Sequence, residues 1–281
     1  MISDTWFSAL SRTLPEGVEN LTLMGTAANG TGNSGNNVLT GNSANNTLNG
    51  GGGNDTLNGS TGVDTLIGGL GNDIFSVDST TDVITENVNE GTDTIQSSVT
   101  FSLATFLNIE NLTLTGSSAI NGTGNTANNV LTGNGANNLL SGDTGNDILT
   151  GAAGKDTLTG GAGIDKFGYK TLTDSLLANY DLITDFNATT GNDLFLVTTA
   201  RAGFTTGLTV NTLDAAGIGA KLTTTNFAAN YAAQFTFTSG TTTRTFVAIN
   251  DAIAGFNVST DSIVEVTGLT GTLGIGNFVT A

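Results

Sequence analysis

Apolar side chains recur every nine residues along two stretches of this chain. In the first they are Leu39, Leu48, Leu57, Leu66 and Phe75; in the second, Leu131, Leu140, Leu149, Leu158 and Phe167. An amphipathic helix repeats every 3.6 residues and a half-buried strand every two, so neither accounts for this interval alone. The polar positions between are mostly Gly, Asn, Asp, Ser and Thr. A triplet centred on one apolar residue is long enough only for a brief strand with one inward side chain. Glycine-rich turns link the triplets, because glycine reaches φ > 0 without strain and lets stacked backbones approach closely. Nine residues then make half a coil and eighteen a whole one. Coils stack at the ordinary strand spacing of about 4.8 Å, with parallel pairing between them and the Leu column as core.

The pattern is duplicated. EGVENLTLMGTAANGTGNSGNNVLTGNSANNTLNG, from Glu16, recurs as LNIENLTLTGSSAINGTGNTANNVLTGNGANNLLSG, from Leu107, and the match runs on to Phe75 and Phe167. Both halves should share one architecture. Between them, residues 79–123 keep β-rich alternation around Ile84, Ile95, Val99 and Phe101, and again at Leu112 and Leu114, so they read as further solenoid strands. Trp6 to Leu14 reads as a short helix or strand over the N-terminal end. Asn179 to Val197 reads as strand, acidic turn, strand. Beyond it Gly thins out. QFTFTSGTTTRTFVAIN predicts a hairpin turning at Ser239-Gly240, Ser262 to Gly268 another strand, and Ala220 to Gln234 the one sizeable helix. Five segments follow: 1–31, an N-terminal cap and first strands; 32–78 and 124–197, the repeat blocks, the second with its end segment; 79–123, the intervening strands; and 198–281, a smaller β-rich capping domain.

Charge turns this thin core into a chemical problem. The 281 residues include 24 acidic and 7 basic side chains, a net charge of −17, and 40 glycines. Ordering so much glycine is entropically costly. With no basic patch, nucleic acid is not expected as a partner. There is no Cys and no His, which excludes disulfides, thiolate sites and the usual zinc sites and leaves all-oxygen ligation of a hard cation. Missing His also removes the H-E-x-x-H motif and the Ser-His-Asp triad, and no G-x-S-x-G occurs, so no enzyme is expected. MISDTWFSALSRTLPEGVEN lacks a basic start followed by an apolar run, so a cleaved signal peptide is not expected. No 18-residue apolar run predicts a membrane span.

Each unit carries its acid two residues before the apolar position. Residues eighteen apart share one edge, which stacks Asp55 on Asp73, Asp147 on Asp165, Asp64 on Asp82 and Asp156 on Asp174. Like charges about 5 Å apart near a protein surface repel by roughly a kcal/mol or more, so the stack calls for a cation between them. The two leading units of each half carry Asn instead: Asn37 and Asn46, Asn129 and Asn138. Pairs such as Asn46 with Asp64, or Asn138 with Asp156, should bind more weakly, and the cation should be gripped hardest on the C-terminal side of each block.

Gly50 to Asn58 (GGGGNDTLN) and Gly68 to Ser76 (GGLGNDIFS) match the nonapeptide G-G-x-G-x-D-x-U-x at every defined position. In this the chain resembles the RTX (repeats-in-toxin) calcium-binding β-roll family over roughly Val18 to Val197. The resemblance implies an all-β fold: a duplicated, right-handed parallel β-roll (β-solenoid) followed by the capping domain. It implies several Ca²⁺ ions, each held by carbonyls and the Asp of one loop and by carbonyls and the Asp of the loop eighteen residues later. Carried over, one site uses Gly51, Gly53, Asp55, Gly68, Leu70 and Asp73. The matching site uses Asp143, Gly145, Asp147, Gly160, Ala162 and Asp165. Sites at Asp64/Asp82 and Asp156/Asp174 lack glycine in the second loop. Asp181, Asp185 and Asp193 resemble an end segment that can ligate a last ion, whereas Asp251 and Asp261 read as turn caps.

Arg244 to Gly268 resembles the terminal domain of secreted and surface RTX proteins. That implies export by type I secretion machinery and a secreted or cell-surface, calcium-dependent structural module. The alternative is a calcium-stabilised binding module, an adhesin or a glycan- or ice-binding solenoid, with cell-surface polysaccharide as a partner.

Overall fold

A computed structural model describes residues 4–189 and 193–281. The backbone groups into two units, Met1–Gly116 and Ser117–Ala281. Each is nearly all β, built of short parallel strands stacked as a β-solenoid.

In the first unit one face stacks, in order, Thr5–Ser8, Asn20–Leu23, Val38–Thr40, Thr56–Asn58, Ile74–Val77, Thr94–Ser97 and Asn111–Leu114. The opposite face stacks Arg12–Thr13, Asn29–Thr31, Thr47–Gly52, Thr65–Leu70 and Val83–Thr85. Every neighbouring pair is parallel. The register sets Leu39 on Leu57 and Leu57 on Phe75, and Leu48 on Leu66 and Leu66 on Ile84. All six are buried. The nine-residue period therefore places alternate apolar residues on opposite walls, which close on one narrow core. After the first repeat block, Val83–Thr85, Thr94–Ser97 and Asn111–Leu114 add further parallel strands to these faces, and the N-terminal stretch is strand, with the Arg12 guanidinium 5.0 Å from the centre of the Trp6 ring.

The second unit repeats this plan. One face stacks Val130–Thr132, Ile148–Thr150, Lys166–Gly168, Leu194–Val197 and Phe278–Thr280. The other stacks Gly122–Thr123, Leu139–Ser141, Thr157–Thr159, Asp181–Ile183 and Ser262–Val266. The C-terminal region is thus joined to the roll strand by strand on both faces. From Ser262–Val266 the sheet turns antiparallel, through Thr242–Ile249 to Tyr231–Ser239, and Gly203–Val210 closes it. The expected hairpin is present, with Phe235 opposite Phe246. The roll ends in aromatic packing: the Phe186 and Phe195 rings stack at 4.7 Å, and Phe195 and Phe278 at 5.1 Å. These large side chains fill a cross-section that the repeats above fill with Leu.

The helix expected over Ala220 to Gln234 does not form there. A five-residue helix, Ala215–Gly219, precedes it, started by the Asp214 carboxylate accepting from the Gly217 N–H at 2.7 Å. Residues from Tyr231 belong to the hairpin. In between, Asn226 Oδ1 accepts from the Thr223 N–H and its Nδ2 donates to the Lys221 carbonyl, both at 2.8 Å. Such local bonds compete with helix and favour turns. Among the described residues no helix is long and apolar enough to cross a membrane.

Candidate metal centres

The sixth residues of successive loops form columns along the edges of each roll. A single hydrogen bond repeats down every column: the backbone N–H of one sixth residue donates to Oδ1 of the next. Asn37 N–H donates to Asp55, Asp55 N–H to Asp73 and Asp73 N–H to Asp93, each at 2.7 Å. On the other edge Asn46 donates to Asp64 at 2.7 Å and Asp64 to Asp82 at 3.1 Å. In the second unit Asn129 donates to Asp147 at 2.7 Å and Asp147 to Asp165 at 2.9 Å. Asn138 donates to Asp156 at 2.7 Å. The eighteen-residue stacking expected for Asp55/Asp73, Asp64/Asp82 and Asp147/Asp165 is therefore present.

That bond uses one oxygen of each carboxylate. The other, Oδ2 of Asp55, Asp64, Asp73, Asp93, Asp147, Asp156 and Asp165, is buried with no hydrogen-bond partner. Buried polar atoms are nearly always paired, and an unpaired one costs about 1–3 kcal/mol, more if charged. Seven in regular array point to a ligand that supplies positive charge. The glycine opening each loop makes room for it. A methyl added at Gly50 would overlap Asp55 Oδ2 and come within 2.7 Å of the Gly68 carbonyl oxygen. One at Gly142 would overlap Asp147 Oδ2 and sit 2.5 Å from the Gly160 carbonyl oxygen. Gly59 stands in the same way by Asp64, Gly151 by Asp156 and Gly160 by Asp165. An unpaired carboxylate oxygen beside a backbone carbonyl, with nothing to donate a proton, is a donor set for a hard cation.

The remaining loop positions are arranged around this. Gly51 and Gly53 have φ of +103° and +98°, and Asp143 and Gly145 hold +80° and +119°. Asp143 thus adopts the left-handed conformation that glycine supplies in the first block. Its carbonyl accepts from the Ala162 N–H, and the Ala162 carbonyl from the Gly145 N–H, both at 2.9 Å. Each carbonyl keeps a second lone pair. Leu70 pairs with Gly52 across the coil and its side chain is exposed.

Burial raises the carboxyl pKa values. Asp55, Asp147 and Asp156 are pushed up to about 7, first by desolvation and then by neighbouring acids such as Asp73, Asp165 and Asp174 respectively. The hydrogen bond from the preceding coil opposes this without cancelling it.

The amide positions behave differently. Asn37 Oδ1 accepts from the Asn33 N–H at 2.7 Å, while Nδ2 donates back to the Val18 carbonyl at 3.2 Å. Asn46 makes the same pair of bonds to the Asn42 N–H, at 2.7 Å, and the Ala27 carbonyl, at 2.8 Å. Asn138 bonds the Asn134 N–H at 2.8 Å and the Ile120 carbonyl at 2.6 Å. An amide here fills both roles with protein atoms, where a carboxylate leaves one oxygen unpaired.

One expected pair is corrected. Asp174 does not stack on Asp156: the short 3₁₀ turn Leu172–Ser175 bulges from the coil, and Asp181 takes the column position, its Oδ1 accepting from Asp156 N–H at 2.9 Å. Asp174 stays near enough to raise the Asp156 pKa. Asp193 follows Asp165 in the same way at 3.0 Å, and its second oxygen accepts from the Asn187 N–H. Asp185 spends both oxygens on the Gly160 and Gly161 N–H groups. The Gly191-Asn192 part of the expected acidic turn lies outside the described residues. Asp261 accepts from the Asp251 and Asn257 N–H groups and Asp251 from the Ile253 N–H, the hydrogen bonding of turn caps.

Glu86 and Asp93 belong with the column acids and escaped the nonapeptide pattern. Glu86 stands eighteen residues after Gly68, at a loop-opening position, and a two-residue insertion carries the sixth position on to Asp93. Counting eighteen from Gly68 would have found Glu86; the same count from Asp73 reaches Gly91, two residues short of Asp93.

Comparison with known proteins agrees with this geometry. The RTX calcium-binding nonapeptide repeat matches the chain in four copies, over residues 31–66, 50–84, 123–149 and 132–167. No curated protein matches the chain.

Proposed function

Because the chain is an RTX β-roll, we propose that it is a calcium-dependent structural module that folds on meeting extracellular Ca²⁺. The observation that carries this is the regular array of buried, unpaired Asp oxygens, six of the seven beside a loop-opening glycine. The ions are assigned to the loops holding Gly51, Gly53, Asp55, Gly68, Leu70 and Asp73, and Asp143, Gly145, Asp147, Gly160, Ala162 and Asp165. Further ions are assigned to the Asp64/Asp82 pair and to Asp156 with Asp181. Ca²⁺ takes about 6–8 oxygens in flexible geometry, which carboxylates and turn carbonyls supply together.

In a compartment poor in calcium the columns repel and the chain stays unfolded. In a calcium-rich medium, binding to the folded state alone drives folding by mass action. That switch suits a secreted or cell-surface protein exported unfolded, and the resemblance of Arg244 to Gly268 to the terminal domain of secreted RTX proteins supports type I secretion as the route. Far-UV circular dichroism tests the switch. The β-spectrum is expected only after calcium replaces EGTA; an unchanged β-spectrum in EGTA would refute it.

A further inference from the structure

We propose that Asp73, Glu86 and Asp93 form a calcium site of a different make from the repeat sites, with three side-chain carboxylates on one ion. It would close the C-terminal end of the first repeat block and fill at lower free calcium than its neighbours. The inference rests on the calcium reading above and goes beyond it, because neither Glu86 nor Asp93 lies within the residues that match the repeat.

Three observations meet at this point. One oxygen from each carboxylate lies within 4.8 Å of one from each of the others. A Ca–O length of about 2.3–2.6 Å lets a single ion reach donors so spaced. Each carboxylate also commits one oxygen to a backbone N–H and leaves the other without a partner. Asp73 Oδ1 accepts from Asp55, Asp93 Oδ1 from Asp73, and Glu86 Oε1 from Asn87. Asp73 Oδ2, Asp93 Oδ2 and Glu86 Oε2 are buried and unpaired, and Asp73 and Asp93 are each only 1% exposed. Lastly, a methyl on Gly68 would overlap both Glu86 Oε2 and Asp73 Oδ2. One coil earlier, Gly50 faces Asp55 Oδ2 and a backbone carbonyl. Here a charged side chain stands where that carbonyl stood.

Charge decides the order of filling. A repeat site sets two carboxylates against a divalent ion, and this one sets three. Affinity in oxygen-ligated calcium sites rises with ligand charge count. Without the ion the same three charges repel at close range, so this is also the point where the calcium-free coil is strained most. Binding would tie the exposed Asn87–Asn89 turn to the last repeat, giving the fold a fixed end from which the weaker sites fill.

Glu86→Gln tests this in the full chain, with CaCl₂ as ligand, by titration calorimetry and thermal melts. The variant keeps the shape and removes one charge. The expected result is a crossing: in EGTA with enough trimethylamine N-oxide to fold the calcium-free chain, E86Q melts higher than the wild type; in saturating calcium it melts lower, and its tightest calcium equivalent weakens at least tenfold. Glu16→Gln, an equal charge change at an exposed side chain bonded to Ser34 Oγ, should leave both unchanged. Asp93→Asn, which keeps the acceptor for the Asp73 N–H, should give the same crossing as E86Q. An unaltered tightest equivalent, or melts shifted in the same direction in both buffers for E86Q and D93N, would overturn the site. A wild type that takes up no calcium would instead refute the calcium reading itself, so the two failures are distinguishable.

Discussion

The chemistry of this protein turns on the difference between Asp and Asn at one loop position. Both accept or donate along the column, but Asn37, Asn46 and Asn138 satisfy themselves with neighbouring backbone, whereas seven of the Asp residues, Asp55 and Asp147 among them, leave Oδ2 buried and unpaired. Asp55→Asn should therefore remove one calcium equivalent in a titration and raise the melting temperature of the calcium-free chain folded in trimethylamine N-oxide; a lower melting temperature under those conditions would contradict the assignment. The acid form follows the same logic. Asp55, Asp147 and Asp156 rise to about 7 in the folded, calcium-free chain because burial disfavours their charge. A raised carboxyl pKa contributes stability in full below the unfolded value of about 3.9. That contribution is lost as pH rises through the folded value. Melts of the calcium-free chain folded in trimethylamine N-oxide should thus fall between about pH 4 and pH 8. Saturating calcium should reverse the slope, because the ion takes the deprotonated form, and calcium binding near pH 6 should release protons measurable in a weakly buffered titration.

At the scale of the coil, the two walls close on one narrow core, each contributing its own stack of side chains, and the loop glycines matter as much as the leucines. Gly50→Ala would place a methyl onto Asp55 Oδ2 and against the Gly68 carbonyl. It should cost about 1–3 kcal/mol as an overpacked position and weaken calcium binding at that loop, read from melts and titration together. Much of this element was legible in the sequence. The nine-residue recurrence of Leu39, Leu48 and Leu57 predicts which strands pair and which side chains turn inward, and the eighteen-residue spacing predicts the neighbour of Asp55. Legibility ends where the spacing changes. The insertion before Asp93 and the 3₁₀ turn at Leu172–Ser175 shift the column, so counting by eighteen selects Asp174 where the backbone delivers Asp181. The helix expected from the alanines near Tyr231 gave way because Asn226 and Thr223 bond locally and the hairpin captures the rest.

For the whole molecule, a net charge of −17, a thin apolar core and unpaired buried carboxylates describe a chain whose fold and whose ion are one equilibrium. Each ion that binds only the folded state adds RT ln(1 + [Ca²⁺]/Kd) to its stability, so several modest sites together make a sharp response. Titration calorimetry with circular dichroism followed on the same calcium series tests this most directly. Several equivalents of heat and the growth of the β-spectrum should saturate together, with little β-structure before the first addition. A fully formed β-spectrum in calcium-free buffer, or a titration with no binding heat, would contradict the account.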